Sequence, residues 1–476
     1  MPPDASGDIL NAARLVELLG QWRLDGPASQ RLAATIRTLV LDGQIPLETR
    51  LPPERELARS LGLSRASVTA AYDLLRADGY VTSRRGAGSW AAIPAGHLAA
   101  SDSVSRVDGL DLRIAAMPAP AGLDELARAA STQLPRWLDH HGYDPLGLPP
   151  LRAAIARRFT ERGLRTRPEQ VMVTAGALHA LDLAIRAFTR RGRNAVVEIP
   201  GYPAALDAVR NAGLRIRSIP TNHNGWDIDT LVQIAHNHRP QLAYLIPDFQ
   251  NPTGAVIDSE ARRIALETLS DADALVVIDE TFVELNLERA AAPRPMASFA
   301  DARAITVGSL SKAVWGGLRT GWIRADPPLI QRLATARATV DLASPTLDQL
   351  LAVHVLERLD EIMTQRRESL RQRRAALADA LRIGLPDWQF AIPRGGQFIW
   401  AELPGPISTR LTVSAAEHDV HLTPGPRFGA AGLLERYLRL PYTLPPEQLR
   451  HAISILARVT PAVGSYSADA RARYVA

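Results

Sequence analysis

Cysteine is absent from this chain of 476 residues, and lysine nearly so. Without thiols there is no disulfide framework and no thiolate metal site, and nothing betrays the redox compartment. No apolar run approaches the ~18 residues of a membrane span. The first residues, Met1 to Asp8, lack the basic and apolar regions of a secretory signal, so a cytoplasmic protein with no membrane partner is expected. His140-His141 and His236-x-His238 have no further ligand at a useful spacing, and no metal is expected. A formal charge of +5 is modest for this length and permits an anionic partner without demanding one.

Lysine and arginine together number 55, yet only Lys312 is a lysine. An arginine keeps its proton and cannot serve as an amine nucleophile; a lysine amine can form a Schiff base once its pKa falls. A stray surface lysine in an arginine-biased chain is the competing reading. The neighbours favour chemistry: Ser309 and Ser311 precede Lys312, and glycines and Arg319 follow it. Hydroxyls, small residues and a guanidinium around such an amine suit an aldehyde cofactor carrying a phosphate.

Taken in order, residues 1–25 carry a short amphipathic lead-in helix, with Leu10, Ala13, Val16 and Leu19 at helical spacing. Residues 26–92 read as three helices and a basic hairpin. Pro52-Pro53 with Glu54 and Glu56 opens the second helix, Gly62 turns the chain, and Ser64 is placed to cap the third. Helix, tight turn, helix and basic hairpin make a winged helix-turn-helix, although a small helical docking module shares that periodicity. Residues 93–109 read as a linker. From 110 to 462, short apolar strands such as 171–174, 195–199, 242–246, 274–278 and 304–307 alternate with helices such as 177–190. That alternation predicts an α/β domain with a mostly parallel sheet, helices on both faces, and a smaller C-terminal subdomain beyond residue 328. Thr174, Asn251, Asp279 and Lys312 would then gather along one rim of the sheet. The tail 463–476 reads as disordered.

The run LPPERELARSLGLSRASVTAAYDLLRADGYVTSRRGAGS closely resembles the DNA-binding domain of the GntR family. The resemblance implies a double-stranded DNA operator. It also implies Arg55, Ser64, Arg65 and Ser67 at phosphates or bases, and a wing around Arg85 and Gly88 in the minor groove. Ala66 stands where the family often has threonine.

Around the lysine, Thr174-Ala175-Gly176-Ala177 ends a strand and opens a helix, a pattern that can seat a phosphate and that a plain strand–helix turn shares. Asp279 ends another strand, where a carboxylate can keep a pyridine nitrogen protonated. Tyr202, in Gly201-Tyr202-Pro203, can cover a cofactor face. Together with YDPLG (143–147), NPTG (251–254), DETF (279–282), SLSK (309–312) and RLPY (439–442), these motifs resemble the fold-type I aminotransferases over roughly residues 110–460. That resemblance implies pyridoxal 5′-phosphate in Schiff-base linkage to Lys312, Asp279 at the ring nitrogen, Asn251 at the ring hydroxyl and Tyr202 on the ring. It implies Ala175, Gly176, Ala177, Ser309 and Arg319 at the phosphate, with Ser311 beside them. Tyr143 would reach the phosphate of the partner subunit in a homodimer, and Arg439 would pair with a ligand carboxylate. Two positions depart from the pattern: Phe282 replaces a phenol, and Leu178 replaces a polar residue of the phosphate seat. The two halves together resemble the MocR subfamily of bacterial regulators. The function this resemblance implies is a regulator that senses an amino compound or a B6 vitamer through aldimine chemistry at Lys312. A working aminotransferase with an accessory DNA-binding domain is the alternative.

Overall fold

Asn11 starts the first helix, its side chain accepting the N–H of Arg14 at 2.8 Å, so α1 spans Ala12–Leu19. The computed structural model describes residues 9–20, 22, 27–41, 44–47, 49–84, 88–92, 108–288, 292–300, 303–429 and 433–475. Helices α2 (Ala28–Leu41), α3 (Glu54–Leu61) and α4 (Arg65–Ala77) follow, then the antiparallel hairpin β1 (Val81–Arg84) and β2 (Gly88–Ala91). Gly62 ends α3 in the left-handed region, and Ser64 caps α4 by accepting the Ser67 N–H at 3.1 Å. The turn between the two helices is therefore short and rigid. Arg76 ties the unit together, reaching Glu54 on α3 at 3.2 Å, Ser83 on β1 at 2.8 Å and Ser89 on β2 at 3.3 Å.

The lead-in helix belongs to this unit. Leu15, Leu19 and Trp22 are buried in one core with Leu32, Ile36, Leu57, Val68 and Tyr72. The chain before and after α2 also extends the hairpin, through Leu10 N–H to Arg50 O and Leu51 N–H to Ser89 O, both at 2.9 Å. The linker expected at 93–109 lies almost wholly outside the described residues.

The large sheet contains β3 (Val171–Thr174), β4 (Asn194–Ile199), β5 (Arg215–Asn222), β6 (Gly225–Trp226), β7 (Leu242–Leu245), β8 (Leu275–Asp279), β9 (Ala304–Ser309) and β10 (Gly321–Arg324). Their order is β3-β10-β9-β8-β7-β4-β5-β6. β4, β5, β7, β8 and β9 pair in parallel, whereas β10 runs antiparallel to both neighbours and β6 folds back along the edge. Both faces of the sheet are buried: Leu275 and Val277 enter one core, Val276 and Ile278 the other. Helix α5 (Ala177–Phe188) covers the first of these faces.

A second, four-stranded sheet, β11 (Gln389–Phe390), β12 (Phe398–Glu402), β13 (Thr423–Pro424) and β14 (Tyr437–Pro441), has the order β11-β12-β14-β13 and is antiparallel. It forms the C-terminal subdomain with α6 (Leu359–Gly384) and α7 (Pro446–Val475), which pack together. The tail expected to be disordered is instead the end of α7, whose helical path continues past Pro461 to Val475. Among the described residues, no helix is long and apolar enough to cross a membrane.

Because Leu15 is fully buried within the winged-helix core, Leu15→Ala should destabilise that unit by about 2–5 kcal/mol. Amide exchange in the full chain should show faster opening of α2, α3 and α4. Unchanged exchange would mean that α1 only rests on the surface.

Candidate functional site

A cavity of about 360 Å³ opens at the C-terminal rim of the parallel strands, between the large sheet and β14. Loops following the strands deliver its polar groups, as expected at the carboxyl ends of an open α/β sheet. Ten of the residues expected to hold the cofactor or its ligand line it: Gly176, Ala177, Tyr202, Asn251, Asp279, Ser309, Ser311, Lys312, Arg319 and Arg439.

At one end, Gly176 has φ +97, and a Cβ there would lie 3.2 Å from the Arg319 guanidinium. A larger residue would therefore close the space between backbone and cation. Helix α5 begins at Ala177, so its first-turn N–H groups lack intrahelical partners. Ser309 donates its hydroxyl to Ser311 Oγ at 3.0 Å and accepts the Ser311 N–H at 3.1 Å. Free amides, two hydroxyls and a guanidinium make an anion seat. Ala175 lies behind this seat: its carbonyl accepts Arg319 Nη2 at 2.8 Å, and its N–H donates to His179 Nδ1 at 3.0 Å. Sequence reading misses His179, whose position one turn along α5 is the available signal.

Lys312 donates to the Ala115 carbonyl at 2.8 Å. The amine is held deep in the cavity, and this enclosure lowers its pKa to about 8; Arg439 and Arg319 act in the same direction and Asp279 against it. Burial pushes the Asp279 carboxyl up, opposed by hydrogen bonds from Thr281 and Tyr244 and by the charge on Lys312. Tyr244 donates to Asp279 Oδ2 at 2.5 Å. In the sequence this phenol reads only as part of an apolar strand.

At the other end, Arg439 Nη1 lies 3.4 Å from Asn251 Oδ1, and Nη2 donates to the Arg113 carbonyl. Its guanidinium sits over Phe428 and Phe398, at 4.9 and 5.7 Å, and burial lowers it to about 10. Arg439 Nε is buried with no hydrogen-bond partner among the described residues. A carboxylate entering the cavity would satisfy it. Phe282 also lines the cavity, its ring edge-on to Phe398 at 5.3 Å. Tyr143 does not line it; its side chain is 63% exposed. His236 and His238 lie in a helix, Ile228–His238, and among the described residues no three metal-binding side chains stand together.

On the N-terminal unit, Arg55, Ser64 and Arg65 are exposed at the starts of α3 and α4, and Ser67 is half-buried with its hydroxyl 2.8 Å from that of Ser64. Gly88 has φ +116, a backbone conformation that residues with a side chain rarely adopt, and the Arg50 guanidinium lies against it, Nε 2.9 Å from where a Cβ would stand. Arg85, expected at the tip, lies outside the described residues.

With one lysine in the chain, the amine can be titrated directly. Acylation of Lys312, followed by peptide mass spectrometry to separate it from the N-terminal amine, should rise to half its limiting rate near pH 8. An amine open to water would instead titrate near 10.5.

The aminotransferase class I and II family matches residues 124–456, and the gntR family of bacterial regulatory proteins matches residues 28–90. A 2-aminoadipate transaminase of Thermus thermophilus is 35% identical over 324 residues, which is 66% of this chain and 80% of that protein. The probable rhizopine catabolism regulatory protein MocR of Rhizobium meliloti is 31% identical, over 64% of this chain and 66% of its own. The uncharacterized HTH-type transcriptional regulator YdcR of Escherichia coli is 27% identical over 86% of this chain and 94% of its own, so it spans both units. Among solved structures, the α-aminoadipate aminotransferase LysN of Thermus thermophilus, complexed with N-(5′-phosphopyridoxyl)-L-leucine, superposes with a TM-score of 0.69 at 32% identity. The match covers 75% of this chain and 93% of that one. With a gntR-type DNA-binding domain ahead of an aminotransferase domain, the chain belongs to the class I and II aminotransferase family in its MocR-type regulatory form.

Proposed function

We propose that this protein is a DNA-binding transcriptional regulator that reads an amino compound or a B6 vitamer at Lys312. Pyridoxal 5′-phosphate is the cofactor of this fold and of its homologues. When bound, it supplies an aldehyde carbon open to amines and a ring that withdraws electrons. The residues present fit it: an anion seat at Gly176 and Arg319, a carboxylate at Asp279, and the chain's one lysine between them.

In this reading Lys312 presents an amine that is partly unprotonated near neutral pH. Asp279 holds a proton on the ring nitrogen, Asn251 faces the ring hydroxyl and Tyr202 covers the ring. The backbone amides of Gly176 and Ala177, the Ser309 and Ser311 hydroxyls, and Arg319 hold the phosphate, with Ala175 shaping the seat from behind. Arg439 takes a carboxylate of the ligand. Tyr143, exposed on one protomer, reaches the phosphate of its partner in a homodimer. The observation that carries the proposal is the sole lysine, enclosed in this cavity, in the same chain as an exposed helix-turn-helix. Arg55, Ser64, Arg65 and Ser67, with the wing at Arg85 and Gly88, contact the operator.

Two observations favour a second reading, a working aminotransferase: the site is nearly complete, and a relative named as a 2-aminoadipate transaminase is 35% identical. Phe282 weighs against it. A hydrogen bond to an ionised group is worth about 1.5–3 kcal/mol, or roughly ten- to hundred-fold in rate at ~1.4 kcal/mol per decade. The ring hydroxyl loses such a bond here, which handicaps chemistry more than retention of the cofactor.

Operator binding by the full chain tests the regulator reading. An effector should change DNA affinity in wild type and leave Lys312→Ala indifferent. Arg65→Ala should weaken the cognate site by about 1–3 kcal/mol while sparing non-cognate DNA. Unaltered specificity in that variant would count against α4 as the recognition helix.

Supplying a keto-acid acceptor separates the two readings. Turnover should be slow or absent, and Phe282→Tyr should raise any trace rate by roughly ten- to hundred-fold. Sustained wild-type turnover at ~1 per second or faster would establish the aminotransferase.

A further inference from the structure

We propose that Tyr244 is a positioning residue for Asp279, fixing the carboxylate's orientation and keeping it ionised for the ring nitrogen of the cofactor. The inference rests on the reading above, in which Asp279 faces the ring nitrogen.

The sheet register puts the two residues together. Tyr244 on β7 stands opposite Val277 on β8, and Leu245 opposite Ile278. Side chains alternate along a strand, so Tyr244 and Asp279 share a face as diagonal neighbours. The rest of β7, Leu242, Ala243 and Leu245, is apolar and buried, and a phenol on that floor needs a partner for its O–H. That partner is Asp279 Oδ2. Burial and the adjacent carboxylate push the phenol well above its ordinary range, so it stays protonated and donates.

Asp279 Oδ1 accepts the Thr281 N–H at 2.8 Å. One donor on each oxygen sets the carboxylate plane, and swinging it away would break both bonds. Each oxygen keeps lone-pair capacity for a ring N–H. Enclosure alone favours the neutral acid; the two donors oppose it. Tyr244 therefore supports the charged form, the one able to hold a proton on the ring nitrogen.

The test compares full-length wild type, Tyr244→Phe, Asp279→Asn and the double variant. The readouts are pyridoxal phosphate affinity and the visible absorption maximum of the bound cofactor. Tyr244→Phe should weaken binding by about tenfold or more, the loss of one bond to a charged group, and should move the maximum. In the Asp279→Asn background the same substitution should change affinity by less than about twofold, because it acts through the carboxylate. Tyr442→Phe removes another buried phenol, one that donates to the Gly395 carbonyl at 3.0 Å outside the cavity, and should alter neither readout. Should Tyr244→Phe fail to fold, 3-fluorotyrosine at position 244 changes the donor's acidity at nearly constant volume and must still move the maximum.

Wild-type affinity and spectrum in Tyr244→Phe would overturn the inference, as would an equal loss in the Asp279→Asn background. Asp279→Asn behaving as wild type would instead overturn the placement of Asp279 at the ring, and the inference with it.

Discussion

Like charges crowded around one cavity are the constraint on which the rest of the site depends. Lys312, Arg319 and Arg439 all face a space of about 360 Å³, with Asp279 as the counter-charge on its floor. Enclosure penalises two of these cations: the Lys312 amine falls to about 8, with Arg439 and Arg319 pushing in the same direction, and burial lowers the Arg439 guanidinium to about 10. A protein tolerates such an arrangement when the folded state has an anionic ligand to gain. Phosphate at Gly176 and Arg319 and carboxylate at Arg439 would each remove part of the repulsion. Ligand binding and stability of the aminotransferase domain are therefore linked through the same charges.

The fold delivers these groups by two routes. The parallel strands bring Asp279 and Ser309 to a common rim because their chain direction is shared; a turn carries Asn251, and the short helix Leu310–Ala313 carries Lys312, just beyond it. Arg439 comes from elsewhere, on β14 of the small sheet, where Trp400 and Thr423 are its cross-strand partners. The site is thus a contact between two sheets, and any shift of the C-terminal subdomain moves the carboxylate end relative to the phosphate end. The winged helix needs no such composite. Its recognition surface is set locally, by the Gly62 turn, the Ser64 cap and the Arg76 links to both α3 and the hairpin.

Much of this is legible in the residues because the signals are local. Val171–Thr174 is a strand at the expected bounds, and Ser64 caps α4 as its position before the helix suggests. The lysine, the strand-end aspartate and the glycine of the anion seat announce themselves by type and spacing. The features that escape depend on tertiary partners. β10 is a short strand whose antiparallel place in the sheet comes from pairing with β3 and β9, which no local period encodes. Tyr244 looks like one more apolar strand residue, since its bond to Asp279 exists only once β7 and β8 are in register. The tail looks polar and irregular, yet it extends a helix whose buried face begins further back at Leu449 and Ile453. The lead-in segment reads as a piece of its own because its partners, Leu32 and Leu57 among them, lie on later helices.

The departures from the aminotransferase pattern fall at particular places, and their physical consequences differ. Retaining a cofactor draws on many contacts at once, so losing one leaves most of the affinity in place. Leu178 removes a polar group from a seat that still has backbone amides, two serines and Arg319. Phe282 is different, because a bond to an ionised hydroxyl bears on the electronics of the ring, and electronic effects weigh more on a transition state than on a resting complex. Its ring still fills its place, packed edge-on against Phe398, so the cavity keeps its shape while losing a donor. Under the proposed regulator reading, shape and charge retained with one electronic contact removed would suit a protein that must hold its ligand long enough to be read.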